Sequence, residues 1–302
     1  PVQLTYRGAR VTTASLPSSA GVVMGEALRI LETFPLPRLD RVERDHLVVE
    51  AWRRAYQDRA RYLGDADFVD VPARIHSSEY ALERAASIDR TRADSSEALD
   101  ARFLPLREGD NTTHFSIADR HGNLVAATLS VNLPFGAGVV AGDTGVLLNN
   151  EMNDFAVARD VPNAFKLTGG AANAVAPGKR PLSSMSPTFV EDARGTLVLG
   201  TPGGSRILSM VMLGILDYVD GPTLDIERLV ALPRFHHQYL PDRIEFEPGG
   251  FGDEWIAGLR AKGHSVQEGR RRWGNMQAVF VEAGSGEASA HNDPRARAGV
   301  LF

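Results

Sequence analysis

The chain has 302 residues, of which 43% are hydrophobic and 24% charged, and its formal charge at neutral pH is −5. This composition is typical of a folded protein with one large or two small domains. The mild acidity argues against nucleic-acid binding, because phosphate contacts need an excess of basic residues. The absence of cysteine excludes disulfides, thiolate metal sites, iron–sulfur clusters and a cysteine nucleophile. No run of about 18 apolar residues predicts a membrane span.

The first 75 or so residues are predicted to be mainly helical. Their opening residues lack the basic and apolar regions of a signal peptide and resemble the interior of a longer chain. Apolar residues recur at helical spacing over 22–36, and further helices are expected over 41–63 and 72–88. In the second helix Trp52 lies on an apolar side. Charged residues are expected to cover much of the rest of that helix: Arg53, Arg54, Asp58, Arg59 and Arg61.

The pattern changes after the third helix. Residues 89–111 are polar and poor in apolar side chains, which is typical of a mobile connector. Alternating residues then predict two strands, 112–119 and 124–131, joined by a turn. The elements expected downstream are a hairpin of 187–190 and 197–200, helices over 206–218, 224–231 and 253–262, and a strand over 278–282. Helices followed by sheet with helices packed on it predict an α+β fold.

The junction of the connector and the first of these strands reads Asn111-Thr112. A threonine hydroxyl is a weak nucleophile, and its usual base is its own α-amino group, whose pKa is near 8 when the residue begins a chain. Cleavage of the backbone in a flexible segment before Thr112 would create such a terminus. A threonine at the start of a strand is also an ordinary structural residue, so the junction alone leaves both interpretations open.

Three more segments carry polar groups that suit a binding site. Residues 147–155 place acids and amides in a loop, and acids there could hold an ammonium group. Residues 180–187 present paired hydroxyls, and residues 201–206 form a Gly-rich turn whose free N–H groups could bind an oxyanion. Each segment fits an ordinary turn or helix cap equally well. The adjacent pair His236-His237 would point to opposite faces of a strand, so no metal site is expected there.

Taken together and in this order, the segments resemble the gamma-glutamyltranspeptidases. The matching motifs are Thr112–Ser116, Asn149–Phe155, Arg180–Pro187, Pro202–Arg206, Pro233–Gln238 and Asp293–Arg295. The resemblance runs from about residue 5 to the end. It implies an N-terminal-nucleophile hydrolase fold, a four-layer αββα sandwich that is incomplete at the N-terminus here. It also implies two subunits cut from one precursor, with 1–111 as the C-terminal part of the large-subunit region and 112–302 as the small-subunit catalytic region.

The activity implied by the resemblance begins with self-cleavage between Asn111 and Thr112. Thr112 then attacks the γ-glutamyl amide of a glutathione-like peptide, and the acyl group passes to water or to an amino acid. The family pattern implies that Gly203 and Gly204 form an oxyanion hole, that Thr113 supports the nucleophile, and that the hydroxyls of Thr128 and Ser130 lie near it. It also implies that the substrate amino group is bound by Asn132, Glu151 and Asp154. The substrate carboxylate would be bound by Ser183 and Ser184. No cofactor, metal or nucleic acid is expected. A periplasmic or secreted location is expected by analogy.

The chain departs from the family pattern in three ways. Family members begin with a further region whose arginine helps to bind the substrate carboxylate, and no residue here is assigned that role. Asn153 stands where an aspartate is common, and Phe165 stands where some members carry a lid tyrosine. Two other functions remain open. One is a related amidohydrolase for a glutaryl-type amide, against which the acids Glu151 and Asp154 argue. The other is an incomplete, non-catalytic chain that needs a partner.

Overall fold

The computed structural model describes residues 1–97, 112–156 and 170–295. The helices in these ranges are α1 (Ala20–Glu32), α2 (Arg41–Tyr62), α3 (Ser78–Ala86), α4 (Arg206–Asp220), α5 (Ile226–Ala231) and α6 (Asp253–Ala261). The strands are β1 (Val2–Tyr6), β2 (Ala9–Thr13), β3 (Thr112–Ala118), β4 (Leu124–Ser130), β5 (Thr188–Asp192), β6 (Gly195–Gly200), β7 (Phe235–His236), β8 (Ile244–Phe246), β9 (Val266–Glu268), β10 (Gln277–Glu282) and β11 (Ala288–Asn292). This mixture confirms the predicted α+β class. No helix within the described ranges is long and apolar enough to cross a membrane.

The largest sheet has six antiparallel strands in the order β1-β2-β5-β6-β10-β11. Its hairpin β1–β2 lies where the sequence predicted mainly helix, so that prediction is wrong for residues 2–13. Inward-facing Leu4 and Tyr6 alternate with more exposed side chains over only five residues, which is too short a pattern to stand out beside the long helical pattern that follows. The short strands β7–β9 and β11 are likewise absent from the predicted elements.

The two faces of this sheet are covered by different layers. Leu199 of β6 faces the helices, because a Cβ on Gly214 of α4 would lie 2.8 Å from Leu199 Cδ1. The neighbouring residue Gly200 faces the other way, onto His114 of the hairpin β3–β4. The described residues therefore form three layers, namely helices, a six-stranded sheet and a hairpin. Within these ranges no second helical layer covers the outer face of the hairpin, where Phe115 is 41% exposed.

Helix α2 is buried almost all round. Trp52 is fully buried, as the apolar side predicted. The charged surface of the helix is buried as well: Arg53, Arg54, Asp58 and Arg59 each expose 4% or less. Arg53 and Arg54 both pair with Glu50 on the same helix, which replaces the water that a buried charge loses. Hydrophilicity alone could not indicate that this surface lies inside the molecule.

Residues 89–97 make defined contacts, although their composition predicts a connector. Ser96 is fully buried, and its N–H donates to Asp242 Oδ2 at 2.7 Å. Its hydroxyl accepts a hydrogen bond from Arg53 Nη1. The polar side chains of this segment thus find partners on α2 and in the C-terminal region. The remainder of the predicted mobile connector, residues 98–111, lies outside the described residues.

Gly200 allows the hairpin to approach the large sheet closely, because a Cβ there would overlap the His114 imidazole. We expect Gly200→Ala to push β3 away and to lower the free energy of unfolding by about 1–3 kcal/mol, the usual effect of overpacking. Gly252→Ala is the matched control, since a Cβ at Gly252 meets no atom within 4 Å. Thermal unfolding of both variants measures the effect, and equal melting temperatures would contradict this account of the packing.

Candidate active site

The pairing of β3 with β4 places Thr112 at the start of a strand and directly opposite Ser130. The Thr112 hydroxyl donates to Ser130 Oγ at 3.2 Å. Both residues line one cleft. Six further residues named from the sequence line the same cleft: Asn132, Glu151, Asp154, Ser183, Ser184 and Gly204.

The acidic side of the cleft is built from the segment after β4 and a single helical turn, Glu151–Asp154. Asn132 has a left-handed φ of 70°, a conformation that asparagine tolerates better than most residues. Its Nδ2 donates to Asp154 Oδ1 at 3.1 Å, which fixes that carboxylate. Its Oδ1 is buried and accepts no hydrogen bond from the described residues. Such an orphaned acceptor suits a donor brought by a ligand, for example an ammonium group.

Burial, and after it the neighbouring Glu151 carboxyl, raise the pKa of Asp154 to about 8. The positive charge of Arg59 and the hydrogen bond from Asn132 oppose this rise. Two carboxyl groups that share one site resist losing both protons until a cation compensates them. The acidic side is therefore prepared for a positively charged ligand group.

The serine side of the cleft is held by the start of α1. Ser183 N donates to Pro17 O at 2.8 Å, and Ser19 N donates to Ser183 O at 2.8 Å. Ser19 precedes α1, but its side chain makes no cap hydrogen bond to the helix. Its hydroxyl donates to Ser183 O at 2.8 Å instead. The start of α1 thus fixes the backbone that presents the paired hydroxyls.

The Gly-rich turn leads into the N-terminus of α4, where the helix dipole favours negative charge. Gly203 has a φ of 141° and Gly204 a φ of 57°. A Cβ on Gly203 would also lie 2.6 Å from Met210 Cε. Both positions therefore require glycine for their backbone conformation. Gly204 lines the cleft, as an oxyanion-binding residue must, and Gly203 stands next to it in the turn.

Two predicted site residues of the hairpin β3–β4 do not line the cleft. Thr113 is exposed, because it points to the opposite side of β3 from Thr112. Thr128 does not line the cleft, and its hydroxyl is 2.8 Å from His114 Nδ1. Asn111, predicted at the cleavage site, and Phe165, predicted as a lid residue, fall outside the described residues.

Histidines form buried networks away from the cleft. His236 Nδ1 is 2.8 Å from Ser209 Oγ, whereas His237 Nε2 is 3.1 Å from Asp242 Oδ1, so the two rings point apart as the strand pattern predicted. Within the described ranges one group has the composition of a metal site: His46, Glu50 and His264. His46 Nδ1 is 2.7 Å from His264 Nε2, and both oxygens of Glu50 contact arginines. These groups satisfy one another.

Four residues of the cleft wall were not predicted from the sequence: Arg59, Leu182, Met185 and Ile207. The three apolar residues carry no chemical signal in a sequence. Arg59 lies in the charged series of α2, where its neighbours form structural ion pairs, so nothing in the local pattern distinguishes it. The structure places its guanidinium group beside Ser184, with Nη2 at 3.2 Å from Ser184 Oγ.

Comparison with solved structures relates this fold to known ones. A crystal structure of the gamma-glutamyltranspeptidase of Helicobacter pylori is 38% identical, with a TM-score of 0.58, and matches 61% of this chain and 100% of its own. That of Pseudomonas nitroreducens complexed with L-DON is 40% identical, with a TM-score of 0.59, and matches 63% of this chain and 98% of its own. A cephalosporin acylase from Bacillus halodurans, 24% identical, shares the fold over 98% of this chain and 51% of its own, with a TM-score of 0.79. These neighbours confirm the predicted N-terminal-nucleophile hydrolase fold.

Sequence comparison gives the family. The glutathione hydrolase proenzyme of Escherichia coli K12 is 42% identical over 299 residues, which are 98% of this chain and 51% of that protein. The proenzyme of Pseudomonas sp. strain A14 is 40% identical over 314 residues, covering 100% of this chain and 54% of that protein. The chain therefore spans about half the length of these curated relatives. The family model for gamma-glutamyltranspeptidase matches residues 1–302, and the chain belongs to the gamma-glutamyltranspeptidase family.

Proposed function

We propose that the protein is a γ-glutamyl transferase and hydrolase that cleaves glutathione-like peptides through an acyl-enzyme on Thr112. The main support for this proposal is the set of side chains that share the cleft with Thr112. The Thr112 hydroxyl lies in the same cleft as two carboxyl groups, Glu151 and Asp154, and two serine hydroxyls, Ser183 and Ser184. A γ-glutamyl group carries an ammonium and a carboxylate on one carbon, so a site for it needs acids and hydrogen-bond donors together.

Maturation by self-cleavage is part of the proposal. The Thr112 hydroxyl attacks the carbonyl carbon of Asn111, the C–N bond breaks, and the acyl group moves to Thr112 Oγ as an ester. Water then hydrolyses the ester, which leaves a carboxylate on Asn111 and restores the hydroxyl of Thr112. The step frees the Thr112 α-amine, whose pKa near 8 suits a general base at neutral pH.

Three comparisons support such a cleavage. The curated relatives are named as proenzymes, and the C-terminus of an acivicin-inhibited gamma-glutamyltranspeptidase of known structure has critical roles in its autoprocessing and catalysis. The solved chain from Pseudomonas nitroreducens matches 63% of this chain over 98% of its own length. Residues 112–302 make up the same share of the 302 residues. A separate chain that begins near Thr112 accounts for this length.

Turnover repeats the same chemistry on the substrate. The Thr112 hydroxyl attacks the γ-carbonyl carbon, and its proton passes through the α-amine to the leaving amine. The turn at Gly203-Gly204 binds the oxyanion with backbone N–H groups at the N-terminus of α4. The resulting ester is then attacked by water, which gives hydrolysis, or by the amine of an amino acid or peptide, which gives transfer.

A glutaryl amidohydrolase is the main alternative, and paired substrates separate the two. Glutaryl lacks the ammonium group that the acids and the orphaned Asn132 Oδ1 would bind. We expect the natural full-length protein to hydrolyse a γ-glutamyl anilide at least about 10-fold faster in kcat/KM than a glutaryl anilide, the effect of one charge-assisted hydrogen bond. Release of the aniline measures both rates. Preference for the glutaryl substrate would contradict the proposal, and turnover of neither would favour a non-catalytic chain.

A further inference from the structure

Arg59 differs from the other buried arginines of α2. Arg53 and Arg54 pair with Glu50, which accounts for their burial. Arg59 is 4% exposed and lines the cleft, yet its hydrogen bonds go to two serine hydroxyls. Its Nε donates to Ser19 Oγ at 3.0 Å, and its Nη2 donates to Ser184 Oγ at 3.2 Å. Among the described residues Arg59 thus has only neutral hydrogen-bond partners, and the nearby acid, Asp154, has a raised pKa. A buried cation is costly for folding unless its charge is compensated, which points to a negatively charged ligand group.

These bonds set the direction in which the serine hydroxyls of the cleft donate. A hydroxyl has one proton and accepts through its lone pairs. Because Ser184 Oγ accepts from Arg59, its proton remains to be donated. Ser183 Oγ accepts a hydrogen bond from Met185 N at 3.1 Å, so its proton also remains to be donated. Both hydroxyls are thereby arranged as donors, which is what a carboxylate requires.

A second connection runs from Arg59 to the backbone of the same segment. Ser19 Oγ accepts from Arg59 Nε and donates to Ser183 O at 2.8 Å. The guanidinium therefore holds the Ser183–Ser184 segment at two points, directly through the Ser184 hydroxyl and indirectly through Ser19. Arg59 thus combines positive charge with control of the two donors.

The charge of Arg59 also acts on the acidic side of the cleft. It lowers the pKa of Asp154 against the rise that burial and Glu151 cause. Burial in turn lowers the pKa of Arg59 itself to about 10, which still leaves the guanidinium protonated at neutral pH. Removing this cation would make Asp154 harder to ionise.

From the hydrogen bonds and the burial we infer that Arg59 is a positioning residue that orients the hydroxyls of Ser183 and Ser184. Through them the cleft selects acyl donors that carry a carboxylate beside the ammonium group. This inference rests on the proposed function, because it concerns how the same substrate is chosen. Arg59 holds the serine hydroxyls as donors and supplies positive charge behind them. The ligand carboxylate then compensates the charge of the buried guanidinium, and the ligand ammonium compensates the charge of Glu151 and Asp154.

The test compares two anilides in the natural full-length protein. One carries a γ-glutamyl group, and the other carries 4-aminobutanoyl, which keeps the ammonium and lacks the carboxylate. For Arg59→Met we expect KM for the γ-glutamyl substrate to rise about 10- to 100-fold, the loss of one or two charge-assisted hydrogen bonds. At a pH at which Asp154 is ionised in both proteins, KM for the 4-aminobutanoyl substrate should change by less than about threefold. Arg59→Lys keeps the charge with a different geometry, so its KM for the γ-glutamyl substrate should lie between those of the wild type and Arg59→Met.

Three further variants distinguish positioning from folding. Arg61→Met removes an exposed charge from the same helix, and we expect it to resemble the wild type. Arg54→Met leaves Glu50 with one ion pair fewer, so it should lower the melting temperature without altering the substrate ratio. Ser19→Ala keeps the Arg59 charge and removes only the indirect link, so KM should rise only a fewfold. The pH at which KM falls should move upward in Arg59→Met and stay unchanged in Ser19→Ala.

The outcomes separate this inference from the proposed function. Equal losses on both anilides in Arg59→Met, with an unchanged pH profile, would overturn the role of Arg59 while leaving γ-glutamyl turnover intact. A wild type that hydrolyses neither anilide would contradict the proposed function. Calorimetry with L-glutamate then decides the role of Arg59, because at least tenfold weaker binding to Arg59→Met supports it and equal or absent binding overturns it. If Arg59→Met fails to fold, Arg59→Lys and Ser19→Ala answer the same questions.

Discussion

Replacing Thr112 by alanine is expected to leave the protein uncut between Asn111 and Thr112. It should also lower γ-glutamyl turnover by at least about 10³-fold, the usual scale for losing a nucleophile. The variant has no hydroxyl for either step, whereas the cleft itself keeps its acids and serines. Denaturing electrophoresis reports the cleavage, and aniline release reports the turnover.

Two variants control this experiment. Thr112→Ser keeps a hydroxyl at the same atom, so cleavage and turnover should both remain measurable. Thr5→Ala removes an exposed threonine on β1 and should behave as the wild type. Normal cleavage or turnover in Thr112→Ala would show that another residue is the nucleophile, and the role assigned to this strand would be wrong.

The pH dependence of substrate binding should follow Asp154. Its pKa of about 8 in the unliganded cleft lies far above the ordinary value of 3.8. Binding a cationic ammonium group favours the ionised carboxylate, so we expect KM for a γ-glutamyl anilide to fall as the pH rises from 6 to 8. Asp154→Asn should raise KM about 10- to 100-fold and remove this dependence, because the amide carries no charge. A steady-state pH series measures both effects.

The same titration affects the stability of the unliganded protein. A carboxyl group whose folded pKa is raised contributes stability that is complete below about pH 4 and is lost as the pH rises through about 8. The melting temperature of the wild type should therefore fall more steeply than that of Asp154→Asn between pH 5 and 8. Melting-temperature curves that run parallel over this pH range would contradict the raised pKa of Asp154. A wild-type KM that does not vary with pH would contradict it as well.

The sequence predicted most strongly those parts of the site that lie in compact motifs. Thr112, the Glu151–Asp154 turn, the Ser183-Ser184 pair and the Gly-rich turn each have a local pattern, and the structure brings a residue of each to one cleft. Thr113 illustrates a limit of such patterns. It adjoins Thr112 in the motif, but strand alternation turns its side chain outward.

Arg59 shows what the sequence could not reveal. Its place in the cleft depends on the packing of α2 against the segments around Ser19 and Ser184, which are 40 and 125 residues away in the chain. A helical pattern describes which residues share a face, and it carries no information on what that face will contact. For the same reason the burial of the charged surface of α2 became evident only from its ion pairs and neighbours.

The fold was predictable where periodic segments were long. Helices α1, α2 and α4 and the hairpins β3–β4 and β5–β6 all lie close to their predicted ranges. The hairpin β1–β2 was missed because its short alternating pattern directly precedes a long helical pattern. Strands β7–β9 have two or three residues each, so their pairing is set by tertiary contacts and leaves no alternation in the sequence.

The most direct test of the N-terminal nucleophile is N-terminal sequencing and intact mass of the purified natural protein under denaturing conditions. We expect two polypeptides, one of which begins Thr-Thr-His-Phe-Ser, so that Thr112 carries a free α-amine. A single uncut chain in a preparation that hydrolyses the γ-glutamyl anilide would contradict the account. So would a cut protein in which no fragment begins at Thr112.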